Sequence, residues 1–155
     1  MAAILFIRFM EKVVLISQIA TTLYLTGVIW IIQTVQYPFF KFFDGKDFTK
    51  YHNDYTFWIT PVVAPAMIIE LVGAIFILFY PPGEIDYKLL YFGLFLTIIV
   101  WLSTFFIQVP LHEKLAAGFD ANAYNSLVNT NWIRTIAWTI RAFLMIYIVW
   151  KFIRV

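Results

Sequence analysis

Residues 131–150 read NWIRTIAWTIRAFLMIYIVW. Twenty residues at about 1.5 Å each make a helix of about 30 Å, the thickness of a bilayer's hydrocarbon layer. Only Arg134 and Arg141 are charged in this stretch. Their spacing puts both on one helix face. Arg134 lies near one end, where a long side chain can reach the interface. Arg141 falls near mid-membrane and needs a partner.

The rest of the chain has the same character. Of its 155 residues, 63% are hydrophobic, 21% are aromatic and 13% are charged. A soluble domain carries roughly 25% charged residues, so this chain cannot cover a water-facing surface. A net charge of +2 argues against nucleic acid as a partner, and the absence of cysteine excludes disulfides and thiolate chemistry. No charge falls between Lys12 and Lys41 or between Leu89 and His112, and only Glu70 falls between Tyr55 and Gly83. These windows predict four spans, roughly 13–37, 55–80, 87–109 and 131–152, in a single membrane domain covering residues 1–155. The expected fold is an all-α, polytopic four-transmembrane-helix bundle. The first span shows no small-residue cleavage site and reads as a retained helix.

The second and third spans are joined by YPPGEID (80–86), whose prolines and glycine force a tight turn. PFFKFFDGKDFTKYHND (38–54) alternates charge with phenylalanine and is expected to lie in the interface. Between the third and fourth spans, Asp120 is placed to cap a short amphipathic helix over Ala121–Val128. There is no internal repeat. Lysine and arginine divide evenly between the two sides, five against five, so the positive-inside rule does not orient the chain. Cytoplasmic termini are the working assignment.

Each span carries a polar stripe at helical spacing. Gln18, Thr22, Thr26, Gln33 and Tyr37 form the first, and Thr56, Thr60, Val63, Met67 and Glu70 the second. Thr97, Trp101, Thr104 and Gln108 form the third, and Asn131, Arg134, Trp138 and Arg141 the fourth. Unsatisfied polar groups are costly against lipid, so all four stripes should face a common axis. Glu70 is the single acid within any span and is the expected partner of Arg141 in a buried ion pair.

Reactive side chains gather at the end away from the tight turn, among them both histidines. His52, His112 and Arg134 are the candidate catalytic residues: two imidazoles for proton transfer and a cation to stabilise an anion. Gln33, Tyr37, Tyr55, Gln108, Asn131 and Trp138 are the candidate ligand-binding residues. Histidine with Glu113 or Asp54 suits a metal, but LHEKL lacks the second histidine of an H-E-x-x-H motif, and no metal site is expected. The residues name no cofactor.

QVPLHEKLAAGF and NTNWIRTIAWTIRA, with VQYPFF, YHNDY and ITPVVAPAMIIE, resemble a group of small bacterial four-span integral membrane proteins. More distantly the chain is similar to the anthrone-oxygenase-like membrane family. Members of that family are linked to oxygenase-like oxidation of aromatic molecules without an obvious cofactor, so that similarity implies an aromatic or quinone-like substrate for an oxidoreductase, while the first resemblance implies a bacterial inner membrane. The expected function is thus binding, with oxidative conversion, of a small lipophilic molecule in a polar pocket at one end of the bundle. The expected partners are membrane lipids and that molecule. The rival reading is a non-catalytic accessory subunit, joined to other membrane subunits or to copies of itself.

Overall fold

Long runs without charge leave the backbone no partner in lipid except itself, and the chain answers with helix almost throughout. The computed structural model describes residues 2–43 and 45–154; Asp44, within the expected interface segment, lies outside them. The helices are α1 (Ala2–Ile31), α2 (Tyr37–Phe39), α3 (Gly45–Phe79), α4 (Tyr87–Ser103), α5 (Val109–Ala116) and α6 (Ala121–Arg154). No strand occurs among the described residues. Leu5–Phe42, Gly45–Phe79, Tyr87–Ala116 and Ala121–Arg154 form four segments long and apolar enough to cross a membrane.

The four segments run up and down. The first packs on the second and fourth, and the third packs on the fourth and second, which closes a ring around one axis. Outer faces present residues such as Phe57, Phe76, Phe92 and Phe143, all exposed. Trp30, Trp58 and Trp132 are exposed, and the rings of Trp30 and Trp132 meet edge-on at 5.6 Å, as members of an aromatic belt would. From Trp58 to Phe79 the helix rises about 31 Å, close to the hydrocarbon thickness.

Each helix overruns its charge-free window at the loop end. The second helix starts at Gly45, ten residues before the expected 55, and the fourth at Ala121. Asp120 does cap, accepting from the Ala123 N–H at 2.7 Å, but 121–128 are the first turns of α6. The short amphipathic helix between the third and fourth spans is instead α5, which buries Leu115 and exposes Glu113 and Lys114. These extensions raise a helical cap above the membrane level. At the other end the turn is tight: Gly83 takes φ +60°, and Asp86 caps α4 by accepting from the Lys88 N–H at 2.9 Å.

Two wide π-helical turns interrupt the ascending helices, at Ile32–Gln36 and Thr104–Gln108. In each the closing N–H reaches back five residues, Tyr37 to the Ile32 carbonyl and Val109 to the Thr104 carbonyl. A proline follows each closing residue, Pro38 and Pro110. Proline lacks an N–H and its ring crowds the carbonyl four residues back, so a regular turn there would be strained. The wide turn relieves the crowding, and such turns are frequent at functional sites.

Candidate functional site

The polar stripes meet inside the bundle at two levels. The lower level is the buried ion pair. Arg141 Nε donates to Glu70 Oε1 at 3.0 Å, with both side chains almost fully buried. Thr22 Oγ1 donates to the same oxygen at 2.8 Å, and Trp138 Nε1 donates to Glu70 Oε2 at 2.9 Å. Arg141 Nη1 donates to the Gly93 carbonyl at 2.6 Å, and Nη2 donates to Gln18 Oε1. Gln18 Nε2 then donates to the Glu70 carbonyl at 3.0 Å. All four segments contribute, and each carboxylate oxygen has a donor. Below lies an apolar cluster that includes Leu15, Ile77, Leu90 and Met145.

The upper level is a cavity of about 700 Å³. Its lower wall is apolar, with Leu25, Ile29, Val63 and Met67, and Trp101 and Trp138 flank it. Its upper wall carries Tyr37, His52, Tyr55, Gln108, His112 and Arg134. Both histidines therefore come together, as the grouping at the helix ends suggested. His52 Nε2 is 3.0 Å from His112 Nδ1, and His112 Nε2 is 3.2 Å from Tyr37 Oη. Phe40 and Phe48 hold the His52 ring, with centroids 5.5 and 5.6 Å away. Arg134 Nη2 donates to Tyr37 Oη at 3.3 Å, which ties cation, phenol and both imidazoles into one line. Such a line can give or take a proton at a neighbouring molecule.

Two expected ligand-binding residues, Gln33 and Asn131, are not on the cavity wall. They stand behind Arg134. Asn131 Oδ1 accepts from Arg134 Nε at 2.9 Å and Nη2 at 2.5 Å. Asn131 Nδ2 donates to Gln33 Oε1 at 2.7 Å, so the pair fixes the guanidinium without reaching the cavity. Thr60, expected to face inward, is exposed and lies on the cavity's rim. Among the described residues no three histidine or acidic side chains converge as a metal requires: Asp54 is exposed, and Glu113 lies on the rim.

Sequence reasoning missed Gly73 and Gly93. A Cβ on Gly73 would fall 2.2 Å from Gln18 Nε2, and one on Gly93 would fall 3.0 Å from Arg141 Nη1. Both glycines leave room for the ion-pair network. The available signal was their place, three residues past Glu70 and mid-span, where glycine otherwise weakens a helix. Compared with known protein families, with curated proteins and with solved structures, the chain matches none.

Proposed function

We propose that this membrane protein binds a small lipophilic molecule, aromatic or quinone-like, in the upper cavity. One observation carries the reading. The cavity has about 700 Å³, with apolar walls and a few polar groups converging at one end. Small-molecule sites have this build, typically with about 300–1,000 Å³. Oxidation of the bound molecule is the activity the resemblance adds. The chain's own share in it would be proton transfer along Tyr37, His112 and His52. On the same resemblance we assign the protein to a bacterial inner membrane, with cytoplasmic termini as the working orientation. The rival, an accessory subunit whose stripes serve packing alone, leaves the cavity without a purpose. A bundle needing only cohesion would fill it, because a void forfeits packing contacts.

The test is retention. Protein purified from its membranes in mild detergent should carry a lipophilic compound that solvent extraction and mass spectrometry identify. Met67→Trp, which fills the cavity floor, should fold and lose that compound. A wild-type protein that retains nothing and also fails to bind menadione would defeat the reading.

A further inference from the structure

Arg134 poses a problem that ligand binding in general does not solve. Arg134 is only 8% exposed, and no carboxylate pairs with it among the described residues. Its partners are all neutral: Asn131, the Tyr37 hydroxyl and, through Nη1 at 3.4 Å, Thr104 Oγ1. Arg141, one level below, has Glu70. A guanidinium held away from water is costly without an opposite charge. Arg134 borders the cavity, so the missing charge can come from there.

Other wall groups are also unpartnered. Gln108 Oε1 and Trp101 Nε1 are buried without a hydrogen-bond partner among the described residues. Both residues line the cavity, and Trp101 sits one turn from Thr104, whose hydroxyl Arg134 touches. The indole N–H thus lacks an acceptor and Arg134 Nη1 has only the long contact to Thr104, so both suit an acid oxygen, while Gln108 Oε1 suits a donor elsewhere on the ligand.

The mouth shows the route. Thr60, Ala64 and Ile68 follow every fourth residue along α3 and line the cavity, yet Thr60 and Ile68 are exposed and Ala64 is half-exposed. Phe105 and Val109 face them from the third segment, also exposed. Residues that belong to both wall and outer surface mark an opening, here a lateral slot between the second and third segments. Thr60 and Ile68 lie about 3 and 15 Å below Trp58 at 1.5 Å per residue, within the hydrocarbon layer. Glu113, exposed at the upper rim, repels anions there and favours the membrane-level part of the slot.

Building on the proposed cavity function, we infer that the ligand is a lipophilic acid, one apolar body carrying a carboxylate or phenolate, taken from the bilayer through this slot and neutralised by Arg134. The experiment uses the full chain in nanodiscs of zwitterionic lipid, with anthracene-carboxylate and its methyl ester as fluorescent probes. The carboxylate should bind at least about tenfold tighter than the ester. Arg134→Gln should bring the two within about twofold, and Arg134→Lys should keep the preference. Ala64→Trp, across the slot, should slow association of both probes by about fivefold or more. Equal wild-type affinities would overturn the acid assignment while leaving the cavity function standing; binding of neither probe would overturn the acid assignment, and the cavity function falls with it only if menadione also fails to bind and no compound is retained. If Arg134→Gln does not fold, the wild-type preference and Arg134→Lys still decide. An unchanged association rate in Ala64→Trp would overturn the lateral route. Phosphatidylglycerol added to the discs should not displace the acid; displacement would assign the site to a phospholipid headgroup instead.

Discussion

At the residue scale, the Glu70–Arg141 pair sets the cost of error. Each carboxylate oxygen and each guanidinium nitrogen is engaged, and water reaches neither group. Removing one partner of such a pair typically costs about 3–5 kcal/mol, because the other charge stays buried alone. Glu70→Gln and Arg141→Met should each lower the thermal unfolding temperature in detergent. The double variant should regain part of the loss, and strictly additive losses would show that the pair is not coupled. This pairing was legible in the sequence because each span charge had few alternatives: Glu70 is the single acid there. That Gln18 faces the axis was legible from its stripe; its bridge from Arg141 to the Glu70 carbonyl was not. It depends on how α1 is rotated against α3 and on Gly73 yielding space. Periodicity within one helix does not encode that rotation.

At the element scale, the wide turns decide which side chains reach the cavity. A π-helical turn holds one residue more than a regular turn, so the helix beyond it keeps its facing only if that residue stays in the turn. Deleting Phe106, an exposed member of the second wide turn, should narrow the turn to regular width, at the cost of renewed crowding by Pro110, and leave Gln108 and His112 on the wall. Deleting Leu102, also exposed but in regular helix, should rotate everything after it by about 100° and unfold the bundle. Size-exclusion profiles and circular dichroism of the two deletions distinguish these outcomes; equal damage would mean the extra residue is structurally required. The sequence announced the spans through their missing charges but hid these turns, because QYP and QVP read equally well as helix ends. The charge-free windows bound the spans and leave the helix starts open. Charged residues between Gly45 and Asp54 mark departure from lipid, and the helix continues through them because the cap buries Phe48 and His52.

At the scale of the whole molecule, the bundle has a filled half and a hollow half. The lower half packs Leu15, Leu90, Met145 and Ile148 together beneath the ion pair. The upper half keeps a cavity of about 700 Å³. Equal truncations should therefore have unequal effects. Met145→Ala opens a void in tight packing and should cost about 2–5 kcal/mol. Met67→Ala enlarges a space already present and should cost clearly less, since no new cavity must form. Parallel thermal melts check the order, and equal losses would argue that the cavity closes in solution. Both overall architecture and the level of the polar end followed from sequence, since His52, His112, Gln108 and Arg134 all sit near one end of the charge-free spans. The hollow itself did not, because it is defined by what four separate helices fail to fill.

The line of Tyr37, His112 and His52 has a consequence in valence counting. Each neutral imidazole carries one hydrogen on two nitrogens, so the contacts at 3.2 and 3.0 Å can be made in two senses only. In one, the phenol donates to His112, His112 donates to His52, and the hydrogen left over sits on His52 Nδ1, which has no partner among the described residues. In the other, His52 donates to His112, His112 donates to the phenol oxygen, and the tyrosine hydroxyl is free toward the cavity that Tyr37 lines. No single member can reverse alone without setting two hydrogens, or two lone pairs, against each other. The three reverse together, as a one-bit register. A hydrogen accepted at His52 Nδ1 releases a different one at Tyr37, with the charge of the line unchanged. An occupant that accepts a hydrogen bond writes one state, and an occupant that donates writes the other.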